Sequence, residues 1–590
     1  MDDGHMQMMD AVTSGWSDPE EAEAFGRFLD LYRCGRIPEE SFRRFRLQNG
    51  VYGERLNSEF CMVRVKARAG LLTPAQLRKL AEVSETFSVG GAHLTTRNDI
   101  QLHWVRLDEA PEVLRELASV GLTTREACGN TVRGIVVHPL AGVCRDEPFD
   151  VRPYAEAVAA FFLRNPLTMN LPRKFKINFS CCGLHGPART GDIGVVPRIR
   201  DSVRGFTLYV GGGLGLRPYI GEPLEPFTPE DDLLPTLIAI IRLYDRMGDR
   251  SRMHRNRLRY LVHDVGIDVF REAVLRERDV VRATIAPSAG LYTQSLEPPP
   301  GTGSEPPGNA SPEFREWFDT SVVPQRQPGF FTVYTGVECG DISAGQLRTL
   351  AEVAERFSAE GRVAISQSQD LVIRWVRGVD LPAVMNALRS VGLGSSGSCV
   401  LEIIGCTGTA SCNLALTNSH RMAREIRMSL LDRGLHRDPG LRGASIHVSG
   451  CPNSCGQHWT ASIGLFGGAI RVGGAQLPAY QVLVGGRARG DSASLAVPLM
   501  RVPARRAVEA VIRMIDVYLS SRSEGEDLDS WLGRVAEGDG PPAYPDLEVL
   551  RDHLADLEEV PPIQESPGLY TDLGSEEKFH AVTARGECAP

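Results

Sequence analysis

One stretch of this chain occurs twice. "PAQLRKLAEVSETFSVGGAHLTTRNDIQLHWVR" begins at Pro74, and "AGQLRTLAEVAERFSAEGRVAISQSQDLVIRWVR" begins at Ala344. The copies align with one extra residue in the second, and each runs on to "SVGL", ending at Leu122 and Leu393. A repeat of this length constrains the architecture more than any single residue does, because two copies of one unit bury their apolar faces in the same way.

Each copy reads as strand, helix, strand, helix. "FCMVRVKA" alternates like a strand, and Leu77, Leu80 and Phe87 share one helical face. Ile100, Leu102 and Trp104 alternate again, and "PEVLRELASVGL" has helical spacing. This is half of a split, ferredoxin-like α+β unit, and two copies can pair about a pseudo-twofold axis. A fainter echo follows: "RGFTLYVGGGLG" (Arg204 to Gly215) resembles "AYQVLVGGRARG" (Ala479 to Gly490), and "FSCCG" resembles "CPNSCG".

The expected fold class is therefore α+β and internally duplicated. Two ferredoxin-like half-units (42–125 and 325–395) form a pseudo-twofold domain beside two larger α/β units (126–290 and 396–532). "SLEPPPGTGSEPPGNASPEF" (295–314) has linker composition. The Pro-rich, acidic extension 540–590 is expected to wrap the surface or stay disordered, and the first forty residues read as helix.

With 590 residues, the chain is too long for one core. No apolar run is long enough to span a bilayer, and "MDDGHMQMMDAVTSGW" lacks the pattern of a secretory signal. A formal charge of -9 argues against a general nucleic-acid binder. A cytoplasmic enzyme is expected, with no nucleic-acid or membrane partner. Scattered cysteines then read as small buried apolar residues, which suits Cys34, Cys61, Cys144, Cys339 and Cys399. Cys588 reads as a tail thiol.

Two close pairs stand apart: Cys406 and Cys412 in "IGCTGTASCNLA", and Cys451 and Cys455 in "VSGCPNSCGQHW". Four thiolates suit an iron–sulfur cluster or a structural zinc. Zinc knuckles favour C-x2-C, whereas these pairs are C-x5-C and C-x3-C. The surrounding glycines and small residues allow backbone N–H groups to approach cluster sulfurs. Zinc and coincidental core cysteines stay open on spacing alone.

These residues resemble the cluster signature of sirohaem-containing sulfite and nitrite reductases, whose architecture is also duplicated. The resemblance runs from about Phe42 to about Leu532. It implies sirohaem and a [4Fe–4S] cluster held by Cys406, Cys412, Cys451 and Cys455, with Cys455 shared between cluster and sirohaem iron. It further implies that electrons come from a ferredoxin or a separate flavoprotein. "VGGGLG" (210–215) lacks the strand–GxGxxG–helix context of a nucleotide loop, so no built-in nicotinamide or flavin unit is expected.

Anionic substrates that lose oxygen need cations that bind and donate protons. Arg97 in "LTTRNDIQLHW" aligns with Ser368 of the second copy, so the scaffold does not require it. Arg133 precedes an apolar strand in "ACGNTVRGIVVHP". In "NLPRKFKINFS", Lys174 and Lys176 share a strand face and Phe175 takes the other. Singly, each reads as a solvated cation. Together they resemble the family's active-site set of two arginines and two lysines. The family's sulfite reductases read Arg-Lys-aromatic-Lys here, and its assimilatory nitrite reductases tend to place Asn at the second lysine. Lys176 thus leans toward sulfite, with nitrite as the alternative.

Sirohaem carboxylates need basic partners. "GDRSRMHRNRLRYLV" (248–262) reads as a basic amphipathic helix that offers Arg255, Arg257 and Arg259, with a solvated face or a donor-docking patch as the plainer reading. Asn453 is a candidate near the haem, and Gln101 a candidate support for Arg97. Tyr52 and Cys128 resemble positions that lie together near the active site in some members, and simple packing explains them as well. Cys181 and Cys182 depart from the family's commonest wording and read as core thiols. Further alternatives are a precorrin-3B synthase-like enzyme, which tends to be shorter, and a zinc-stabilised binding module.

Overall fold

The computed structural model describes residues 15–252, 254–284, 301–308, 311–394, 401–537, 546–584 and 586. Cys399, Cys588, residues 295–300 and 309–310 of the linker, and 540–545 of the extension lie outside the described residues.

The two repeats form a pair of five-stranded sheets that exchange strands. The first sheet runs Val51–Glu54, Asn57–Lys66, Asp99–Arg106, Gly91–Leu94, and then Asp341–Ser343 from the second copy. The other runs Val322–Pro324, Phe330–Tyr334, Leu371–Arg377, Val363–Ile365, and then Leu71–Leu72 from the first copy. The borrowed strand in each case immediately precedes a helix, Pro74–Phe87 or Ala344–Phe357. Both helices open with a capping box, Thr73 with Gln76 and Ser343 with Gln346, which satisfies their first orphan N–H groups. The helices bury Leu77, Leu80 and Ala81 and their counterparts Leu347, Leu350 and Ala351. One apolar core draws on both copies, which makes the α+β domain a true pseudo-twofold unit. Two exposed ion pairs repeat the symmetry, Arg78 with Glu355 and Arg348 with Glu85.

The larger units also match each other strand for strand. Val136–Val137, Ile177–Phe179 and Ile193–Arg200 run parallel, and Val203–Val210 and Glu222–Pro229 continue antiparallel. In the second half, Leu401–Gly405, Ala444–Ser449 and Ile463–Val472 are parallel, followed by antiparallel Ala475–Val484 and Val497–Pro503. The faint sequence echo is thus structural. "FSCCG" and "CPNSCG" both run off the carboxyl end of the second parallel strand.

Two expectations need correction. The basic segment 248–262 is not one helix: the helix is Leu258–Val265, and the described residues before it form bends and a turn. Asp249 explains the early turn, because its carboxylate accepts from the backbone N–H groups of Ser251 and Arg252. Cys34 is exposed, at the carboxyl end of helix Pro19–Arg33, rather than buried. In the extension, Leu550, Leu554, Leu557 and Leu573 join the core of the second α/β unit. Farther on, Ala584 N–H donates to the Asn413 carbonyl (3.0 Å), so the tail crosses the loop that carries Cys412.

Candidate active site

The four cysteines leave adjacent parallel strands at one edge. Cys406 and Cys412 follow Leu401–Gly405, and Cys451 and Cys455 follow Ala444–Ser449. Crevices at the carboxyl ends of parallel strands are where open α/β sheets bind ligands. Backbone N–H groups point at the sulfurs: Gly450 donates to Cys406 Sγ (3.2 Å) and Leu414 to Cys412 Sγ (3.4 Å). Gly408 also donates to Cys406, Ala415 to Cys412 and Asn453 to Cys451. Gly408 has φ +57°, which a side chain adopts only with strain. Burial pushes the thiols of Cys406, Cys412 and Cys451 up, Cys412 to about 12, so a bound metal must displace their protons. Cys455 is the exposed member of the set.

The candidate cations meet Cys455 across the seam between halves. Thr96 Oγ1 donates to the Cys455 carbonyl (3.1 Å), which places the Arg97 loop beside it. Arg97 donates to Asn178 Oδ1 (3.2 Å) and the Gly134 carbonyl (2.7 Å), while its buried Nε has no partner. Burial lowers Arg97 to about 10; Asp99 opposes the shift and Arg133 adds to it. Arg133 is buried, and its N–H donates to the Phe175 carbonyl (2.9 Å), so it lies alongside the Lys174–Lys176 segment. Phe175 is fully buried, which leaves the two lysines on the opposite face. Lys176 falls well below its ordinary value through burial, then through the charges of Arg97, Lys174 and Arg257, with Cys455 opposing.

Arg257 is buried and bidentate to Asp192, at 3.1 and 2.6 Å. Asp192 Oδ2 also accepts the Lys176 backbone N–H (2.8 Å). Arg259 donates to the Leu214 carbonyl (3.2 Å), its Nε has no partner, and it lines the Gly213–Gly215 turn. That turn faces the Asn453 backbone, and its Gly215 carbonyl accepts from Trp459 Nε1 (2.9 Å). Glycine there serves close approach: a Cβ on Gly212 would run into the Arg189 carbonyl. Arg255, by contrast, pairs with Asp264 (2.8 Å) at the surface. Gln101 donates to Met62 Sδ (3.6 Å), while Arg97 donates to Asn178 and Gly134 instead of to the Gln101 oxygen. Tyr52 and Cys128 share a small core cluster with Leu47 and Met62, and Arg133 reaches both, at 3.4 Å and 3.9 Å.

Sequence reasoning missed Asp192, Asn178 and Arg55. Arg55, from the first half, donates to the Cys412 carbonyl (2.6 Å) and ties the cysteine loop to the opposite half. Asn178 lies within "NLPRKFKINFS", two residues past Lys176, whereas Asp192 and Arg55 lie in no repeated or spaced motif. Their roles follow from partners far away in sequence, so no local signal marks them.

The family described as "Nitrite and sulphite reductase 4Fe-4S domain" matches residues 128–281. The "Nitrite/Sulfite reductase ferredoxin-like half domain" matches twice, at 53–120 and 323–391. The chain is 30% identical to the chloroplastic ferredoxin–nitrite reductase of Arabidopsis thaliana, over 73% of this chain and 71% of the relative. The chain belongs to the sirohaem-dependent nitrite and sulfite reductase family. Within it, this member is 29% identical to the assimilatory ferredoxin-dependent nitrite reductase of Haloferax mediterranei, over 86% of this chain and 87% of that one. It is equally 29% identical to a ferredoxin sulfite reductase of Mycolicibacterium paratuberculosis, over 82% and 84%. The fold matches that of the Mycobacterium tuberculosis NirA protein with a TM-score of 0.74, at 24% identity over 88% of this chain and 95% of that one.

This reductase family uses sirohaem and a [4Fe–4S] cluster, and the chain's residues fit both. Five backbone N–H groups already face the buried sulfurs, as a cluster requires. Arg97 and Arg259 each keep a buried Nε donor without a partner, which suits a binding place for anionic groups.

Proposed function

We propose that this reductase converts sulfite to sulfide, a six-electron reaction, with electrons delivered by a ferredoxin or a flavoprotein. Cys406, Cys412, Cys451 and Cys455 would hold the cluster, Cys455 would be the ligand shared with the sirohaem, and Arg257 and Arg259 would support its rim. When bound, the coupled cofactors supply electrons singly to an anion at the iron. The protein's part is electrostatic. Arg97, Arg133, Lys174 and Lys176 gather positive charge in a desolvated place, which attracts the anion and strengthens every contact with its oxygens. Lys176, its ammonium destabilised by burial and by neighbouring cations, is poised to give up a proton where an oxygen leaves as water.

The observation that favours sulfite over nitrite is Lys176 itself. It adds a cation to a site that already holds Arg97, Lys174 and Arg257, and a guest with more negative charge offsets that crowding and burial more. Sulfite carries up to two and nitrite one. The test is steady-state kinetics of reconstituted enzyme with a reduced viologen, both anions compared, for wild type and Lys176→Asn. Wild type should favour sulfite in kcat/KM. The substitution should cut sulfite turnover by about tenfold or more, and nitrite turnover by less. Equal losses, or a wild-type preference for nitrite, assign the enzyme to nitrite instead.

A further inference from the structure

The first half carries its own thiol cluster, outside the site described above. Cys144 follows strand Val136–Val137, and Cys181 and Cys182 follow Ile177–Phe179. These are the strands that correspond to Leu401–Gly405 and Ala444–Ser449, which bear the four iron-site cysteines. Together with His185, the three sulfurs and one imidazole nitrogen lie within 4.8 Å of one another. We propose that Cys144, Cys181, Cys182 and His185 form a structural zinc site, a second metal centre at the pseudo-symmetric counterpart of the cluster.

The spacing selects a single ion. Zinc–sulfur bonds of about 2.3 Å and zinc–nitrogen bonds of about 2.0 Å set tetrahedral edges of roughly 3.8 Å between sulfurs and roughly 3.6 Å from sulfur to nitrogen. The observed separations are 3.9 Å from Cys144 to Cys182 and 3.6 Å from Cys144 to His185 Nδ1. Cys182 to His185 is closer, 3.0 Å, and opens on metal binding. In a cubane each thiolate serves a different iron corner, so the sulfurs stand farther apart. Among the described residues, Cys406, Cys412, Cys451 and Cys455 form no such one-ion group.

The chemistry agrees with the spacing. Three thiolates and an imidazole in a closed arrangement are a zinc donor set, and binding displaces the thiol protons. The sulfurs are sealed from solvent, with exposures of 4% for Cys144 and 0% for Cys181 and Cys182. An apolar core would not turn an imidazole nitrogen toward sulfur. The Leu184 N–H donates to Cys182 Sγ (3.4 Å), and His138 Nδ1 lies 3.2 Å from Cys181 Sγ, so the ligands have outer partners of their own. Both loops are also held from the second half. Arg326 N–H reaches the Val143 carbonyl (2.9 Å), Gly490 N–H the Gly186 carbonyl (2.7 Å) and Asp491 N–H the Gly183 carbonyl (2.9 Å). The site would staple these loops behind the cation wall: the Pro187 carbonyl accepts from Asn178 (3.0 Å), and Asn178 in turn accepts from Arg97.

The experiment is metal analysis and zinc-edge X-ray absorption on holoenzyme purified without chelator. It reads zinc and not turnover, so it stands apart from the substrate assignment. About one zinc per chain is expected beside the iron, with three sulfurs at about 2.3 Å and one nitrogen at about 2.0 Å. Cys182→Ser and His185→Asn should each lower zinc at least about fivefold while iron content and the Soret band persist. Should either variant fail to accumulate, the wild-type absorption edge decides alone. Zinc below about a fifth of an equivalent, a shell of oxygen and nitrogen only, zinc unchanged in both variants, or a native Cys144–Cys182 disulfide would each overturn the proposal.

Discussion

Arg97 shows what a single residue contributes here. Its guanidinium is held by Asn178 and by the Gly134 carbonyl, is surrounded by other cations, and keeps an unused Nε donor. Arg97→Gln preserves hydrogen bonding and removes the charge. Viologen-linked kinetics should show kcat/KM for sulfite lowered by about 10²-fold, in the range seen when an electrostatic donor is lost, with the Soret band and iron content retained. A loss under threefold would remove Arg97 from the anion site. The residues legible in the sequence were those with a spacing or a repeat behind them: the four cysteines, and Arg97 through its Ser368 counterpart. Asp192 was not legible. Its importance comes from satisfying Arg257 and the Lys176 backbone together, and neither partner is near it in sequence.

At the scale of elements, the cysteine loops depend on a strand that lies behind them. Gly467, in Ile463–Val472, sits so close to Gly450 and Thr417 that a Cβ would overlap the Gly450 carbonyl and the Thr417 hydroxyl. Gly467→Ala therefore pushes directly on the residue before Cys451. Iron and acid-labile sulfide per chain should fall by more than half, while far-ultraviolet circular dichroism stays close to wild type. Full cluster content in this variant would show that the loop yields without cost. The repeat announced both half-units and their paired helices. The exchanged strands Leu71–Leu72 and Asp341–Ser343 were invisible, because two or three residues carry no periodicity and their partners lie in the other copy. The basic segment before Leu258 misled for a related reason. Its charge spacing mimics a helix, but Asp249 turns the backbone first.

The whole molecule works because its halves are locked together, and one lock is ionisable. Asp341 of the second half bridges His93 of the first (2.8 Å) and His420 (3.1 Å), with the Arg424–Glu338 pair alongside. The two histidines hold the Asp341 carboxyl well below the usual range against the opposing effect of burial, so its contribution is present above about pH 4 and fades as pH falls through its folded value. His420 is raised by Asp341, again against burial; its contribution is complete below about pH 6.5 and is lost as pH climbs through its folded value. Buried His93 is shifted down and partly offsets this gain in acid. Asp341→Asn should therefore lower Tm more at about pH 5.5 than at about pH 8.5, and equal losses would mean the bridge is carried by neutral hydrogen bonds alone. The account as a whole rests on Cys455 joining two cofactors under a wall of cations, and Mössbauer spectroscopy of oxidised enzyme enriched in the Mössbauer-active iron isotope tests that link most directly. A shared thiolate predicts that all cluster irons take on magnetic splitting from the paramagnetic haem iron. A cluster spectrum that stays diamagnetic beside an independent haem would contradict the assignment.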